Sequence, residues 1–78
     1  MKTVQGEKHT TLYPNVSPER ERAFTDKNAT VLTPNKDRVT ILNRAYKDSW
    51  HMVQFTMKKE EFQEYINGLQ KICNSLEG

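Results

Sequence analysis

Residues 38–57, RVTILNRAYKDSWHMVQFTM, decide the fold. Two runs rich in β-branched and aromatic residues, Arg38–Tyr46 and Trp50–Met57, flank Lys47-Asp48-Ser49, which supplies turn chemistry. The pattern predicts a β-hairpin. Register then governs everything built on it, because a slip of one residue exchanges the two faces. Pairing Tyr46 with Trp50 across a three-residue loop puts Val39, Ile41 and Ala45 on one face with Val53, Phe55 and Met57. That face is apolar and can receive a helix. A loop of two or four residues would bury Trp50 and Met52 beside Ile41 and carry Asn43 and Gln54 into the core. Each polar group left unpaired there costs roughly 1–3 kcal/mol. The three-residue register is therefore the expected one.

The helix follows at once. Phe62, Tyr65, Ile66, Leu69, Ile72, Cys73 and Leu76 recur at the spacing of one helical face. This predicts an amphipathic helix over about 58–76 that lays its stripe on the hairpin, with Thr56 as N-cap. Glu60, Glu61 and Glu64 suit the positive helix start, and Lys58 and Lys59 oppose it. Gly68 interrupts the helix at a cost of about 1 kcal/mol relative to alanine. Its absence of a side chain is either tolerated or allows a second backbone, from the sheet or a partner helix, to come close.

Residues 1–33 are less regular. Val4–Tyr13 has weak strand character with Gly6 inside it, and Ser17-Pro18-Glu19 resembles a helix start. ERERAF can form one or two helical turns with Ala23 or Phe24 facing inward. Thr30–Thr33 reads as a short strand ended by Pro34-Asn35. The expected fold class is α+β: a small antiparallel sheet of three to four strands, centred on the 38–46/50–57 hairpin and packed by one C-terminal helix. The fourth strand would come from residues 3–12. With 78 residues, one domain accounts for the chain, with 1–33 as its irregular part and 34–78 as hairpin plus helix.

A domain of this size has thin stability unless something staples it. An internal disulfide is not available, since Cys73 is the only cysteine, and a lone thiol suits a reducing compartment. MKTVQGEKHTT lacks the apolar stretch of a signal peptide, and no run approaches the roughly 18 apolar residues that span a bilayer. The expected address is cytoplasmic, with no membrane partner. Asn15-Val16-Ser17 and Asn28-Ala29-Thr30 match glycosylation triplets by chance on this reading. The net charge of +2 is too mild for the basic stripe of a duplex-DNA binder. The surplus lies outside the C-terminal segment: residues 1–57 hold nine Lys/Arg against six Asp/Glu, and 58–78 hold three against four.

The chemistry of a catalyst is not legible here. Gly6, Gly68 and Gly78 stand apart, so no glycine-rich phosphate loop exists, and His9, His51 and Cys73 are too scattered for a zinc ligand set. Asp48, Ser49 and His51 share one tight turn and cannot readily converge their tips as a triad. Glu60, Glu61 and Glu64 read as a solvated helix face, Cys73 as a small buried apolar residue, and His51 as a partly buried, hydrogen-bonded one. No enzyme activity, cofactor or metal is expected.

The outer hairpin face remains. Leu42, Tyr46, Trp50 and Met52 form an apolar patch there, flanked by Arg38, Arg44 and Lys47. Binding hot spots favour Trp, Tyr and Arg, which bury much area and keep a polar handle. Alternatively, residues 1–33 fold across this face as a second small core. The first expectation is a protein-binding regulator, adaptor or inhibitor, by analogy with small accessory factors of phages and mobile elements. The second is single-stranded nucleic-acid binding, with bases stacked on Tyr46 and Trp50 and phosphates on Arg38, Arg44 and Lys47. Over residues 38–76 the strands-then-helix order loosely resembles small dimeric single-strand-binding coactivator domains, without their strand immediately before the helix. A third is a structural subunit completed by oligomerisation, a homodimer in the simplest case.

Overall fold

A computed structural model describes residues 1–20, 24–46 and 52–78 of the chain. Five strands, β1 (Lys2–Gln5), β2 (Thr10–Tyr13), β3 (Ala29–Asn35), β4 (Arg38–Arg44) and β5 (Met52–Lys58), precede one helix, α1 (Lys59–Ser75). The sheet order is the chain order, and every pair is antiparallel. The α+β class and the C-terminal helix stand. The strand count does not: residues 2–13 hold a hairpin of two strands where one was expected. Its Gly6 N–H donates to the His9 carbonyl at 2.8 Å, and a Cβ on Gly6 would sit 3.1 Å from that same oxygen. The close approach favours glycine there.

The β4–β5 pairs Arg44↔Met52, Ile41↔Phe55 and Val39↔Met57 keep the expected register. The proposed Tyr46–Trp50 pair ends on Trp50, which lies outside the described residues, as do Lys47, His51 and Ala23. Ile41, 2% exposed, is the centre of a core with Val39 and Met57, closed by Leu32, Phe55 and Phe62. Ala45 and Val53, expected in this core, are exposed. Asn43 shares the inner face, paired opposite Val53, where its Oδ1 accepts from Thr30 Oγ1 at 2.6 Å. Asn43 was expected on this face only after a register slip, but two residues from Ile41 it faces the helix side in this register too. It is tolerated because it is exposed there, with Thr30 as one partner.

Strand β3 continues through Pro34 and Asn35 and pairs Asn35 with Arg38. Pro34 lies beyond the last β2 partner, Leu32, and proline is acceptable where no strand needs its N–H. The two-residue turn that follows holds Lys36 at φ 59°, a left-handed conformation usually left to glycine or asparagine.

Strand β5 runs straight into α1. Lys58, in extended backbone, is the N-cap and makes no side-chain cap bond, and the Lys59 N–H donates to the Asp37 carbonyl at 2.8 Å. Thr56 is therefore not the cap. It stays in the strand, its Oγ1 3.0 Å from that of Thr40. The helix itself departs from expectation in burial. None of its residues is buried; Phe62 alone is half-buried, and Tyr65 leans on Phe55 with ring centroids 5.9 Å apart. Cys73, read as a core residue, is exposed.

Ile41→Ala is expected to lower unfolding stability by about 3–4 kcal/mol, as for a large-to-small change in a closed core. Lys36→Gly should raise it by about 0.5–1 kcal/mol, the left-handed penalty less the added chain entropy of glycine. Urea midpoints at constant m-value check both, and an unchanged midpoint for Ile41→Ala would refute the placement of that core.

Candidate functional site

The two-residue period of the strands sorts their side chains between the helix side and an outer face. Outward go Lys2 and Val4, Thr11 and Tyr13, Ala29, Val31 and Thr33, then Arg38, Thr40, Leu42 and Arg44, then Met52, Gln54, Thr56 and Lys58. The connection from β2 to β3 covers one part of this face. Tyr13, Val16 and Ala29 form a second small core with Phe24, whose ring meets Tyr13 edge-on at 5.0 Å. The alternative in which the N-terminal segment covers the outer face therefore holds for one part of it and fails for the rest.

Two cations fasten that cover. Arg44 Nη2 donates to the Tyr13 hydroxyl at 3.2 Å and to the Thr25 carbonyl at 3.3 Å, with its guanidinium 5.9 Å from the Tyr13 ring centre. Its Nε is the one buried side-chain nitrogen or oxygen without a hydrogen-bond partner among the described residues. Lys2 Nζ lies 4.6 Å from the Phe24 ring centre and donates to the carbonyls of Pro18 and Arg20. In the same connection the Ser17 hydroxyl donates to Glu19. That bond holds the Glu19 carboxyl below its ordinary range, and Lys2 adds to the effect. Ser17 thus serves a turn, with the Arg20 N–H on its carbonyl at 3.1 Å.

The predicted site residues divide accordingly. Arg38 is exposed, its Nε 3.6 Å from Asp37 Oδ1. Tyr46 and Met52 are open, at 51% and 49% exposure. Leu42 is half-buried beside Val31, and Arg44 is half-buried and engaged. Lys47 and Trp50 fall outside the described residues. Lys58 was missed. It pairs directly with Arg38 on this face, and its even number in the register was the available signal. Lys2 was missed too, because β1 was not separated from β2.

Every charged residue in the five strands, Lys2, Arg38, Arg44 and Lys58, is basic and on this outer face. Arg38 and Lys58 sit directly opposite one another, like charges whose repulsion the adjacent Asp37 carboxylate offsets only in part. Thr33, Thr40, Gln54 and Thr56 fill the ground between them with hydrogen-bonding groups. Elsewhere, a concavity of about 580 Å³ is bordered by Gln5, Glu7, His9 and Pro34, and its charged side chains stand in open solvent. No group of three or more His, Cys, Asp or Glu side chains is placed to hold a metal ion among the described residues. No helix among them is long and apolar enough to cross a membrane. Compared with protein-family models, curated proteins and solved structures, the chain matches none.

Arg44→Ala is expected to cost about 1.5–3 kcal/mol, the range for hydrogen bonds made by a charged group. It should speed amide exchange selectively in residues 14–28. Arg44→Lys restores the charge without the planar fork and should recover less than half of the protection. Uniform loss of protection across the whole sheet would contradict the local role given to this side chain.

Proposed function

We propose that the chain is a non-catalytic binding protein whose outer sheet face takes single-stranded nucleic acid. One observation supports this above the others: the strands carry cations only, all on that face, with Arg38 and Lys58 side by side. A pair of like charges that weakens the sheet is relieved when a phosphate lies between its members. The threonine row offers further donors to phosphate oxygens, and exposed Tyr46 offers a stacking face, a combination that tolerates many base sequences. Arg44 and Lys2 contribute field to this surface while they hold the β2–β3 connection. A cytoplasmic setting suits the reading, because Cys73 is single and exposed.

A second reading, a regulator or adaptor that docks another protein, draws on Tyr46 and Met52 standing open beside half-buried Leu42. Leu42 is half-buried beside Val31, so among the described residues the open apolar ground of this patch is Tyr46 and Met52. The charge arrangement therefore ranks nucleic acid first.

Anisotropy of a labelled single-stranded oligonucleotide separates the two. Binding is expected at low salt and should weaken roughly tenfold or more between about 50 and 200 mM. Arg38→Ala with Lys58→Ala should lower the salt slope by roughly 1.4, two phosphate contacts at about 0.7 each. Absence of binding at low salt would end the nucleic-acid reading and leave the protein partner.

A further inference from the structure

The helix side of the sheet is half empty. Neighbouring strands lie about 4.8 Å apart, so five of them span roughly 19 Å from the first axis to the last. A helix with its side chains is about 10 Å across. The inner face therefore has room for two helices lying side by side, and the chain supplies one. The helix backbone approaches β4 and β5, with Leu32 of β3 reaching the same core at its margin. Beside the helix runs an open groove of about 250 Å³, with Leu12, Leu32 and Ile41 in its floor next to the hydrogen-bonded pair Thr30 and Asn43, and Phe62, Ile66 and Leu69 in its wall.

The helix carries more apolar surface than its own sheet uses. Exposure climbs along the stripe from Ile66 at 40% through Leu69 at 56% and Ile72 at 63% to Leu76 at 70%. Phe62, Tyr65, Leu69, Ile72 and Leu76 also follow alternating steps of three and four residues, the spacing by which one helix packs along another. Stripe and groove adjoin on one surface. The surface can thus be both donor and acceptor of a helix, the condition for a two-fold interface in which the same patch serves both subunits.

We infer that this face pairs with a second copy of the chain, each helix entering the groove of the other. The rows bordering the stripe hold Glu61 and Gly68 on one side and Lys59, Gln63 and Gln70 on the other, so no block of like charge opposes self-pairing. A Cβ at Gly68 would meet nothing within 4 Å in the single chain, so the glycine is not explained by the chain's own sheet. The surface available is adequate. A helix of 17 residues is about 25 Å long, and over a sheet roughly 19 Å wide it outlines about 480 Å² in plan, which side-chain corrugation brings toward the roughly 800 Å² per partner of a standard interface. This pairing leaves the outer face free and does not depend on what that face binds.

Sedimentation equilibrium of the full chain is expected to give twice the chain mass at micromolar concentrations. Leu69→Glu with Ile72→Glu should weaken association about 100-fold or more while far-UV circular dichroism retains the sheet. Should that variant unfold, the native chain decides through Cys73, which lies in the stripe and is open in one copy. Its rate of reaction with a thiol reagent should drop roughly tenfold as the dimer forms. A monomer at every concentration overturns the inference and leaves the groove to a helix from another protein. Doubled mass with unchanged Cys73 reactivity, or a dimer that survives both glutamates in a folded chain, overturns it equally and points to pairing along the free edge of β5.

Discussion

Strand β4 is shared by both small cores, and its two-residue alternation is the constraint on which the molecule depends. Val39 and Ile41 turn toward the helix and meet Met57 and Phe55 across the ladder. Leu42 and Arg44 turn the other way, and Arg44 reaches Tyr13 and the β2–β3 connection. A slip of one residue would send a guanidinium under the helix and an isoleucine under the loop. Neither exchange is affordable to a sheet with so few closed side chains. The register is correspondingly well specified.

The two cores are closed by different physics. On the helix side the contact is apolar packing around Ile41, with no hydrogen bond required of the side chains at its centre. On the outer side the apolar content is small, and two cations over aromatic rings complete it. Their hydrogen bonds fall on backbone carbonyls of the connection, groups that would otherwise need water. The side chains that give this face its positive field are thus also the ones that hold its cover, apart from Arg38 and Lys58.

The hairpin, its register and the helix were legible because each rests on a strong period: two over residues 38–57 and about 3.6 over 62–76. The N-terminal hairpin was not. Its strands, KTVQ and TTLY, are short and threonine-rich, and the GEKH turn between them carries a single glycine as punctuation. Thr56 looked like a cap because hydroxyls commonly begin helices, but the Lys59–Asp37 backbone bond carries the strand two residues further. Of the candidate site, Arg38, Tyr46 and Met52 were placed by alternation alone. The engagement of Arg44 was not legible, since it depends on a partner in the chain's first half. An apolar stripe likewise announces that something will cover it, without saying whether the cover belongs to the same molecule.

The meander has a kinetic corollary. Each strand pairs with its neighbour in sequence, so hairpins can zip in succession and little entropy is lost to distant encounters. The one long closure spans the connection from Tyr13 to Ala29, and loop entropy rises only slowly with length. For an all-antiparallel sheet the search is short. Such a chain should acquire its native pairing toward the fast end of the range for mixed α/β domains, with the Tyr13–Ala29 connection the last part to settle.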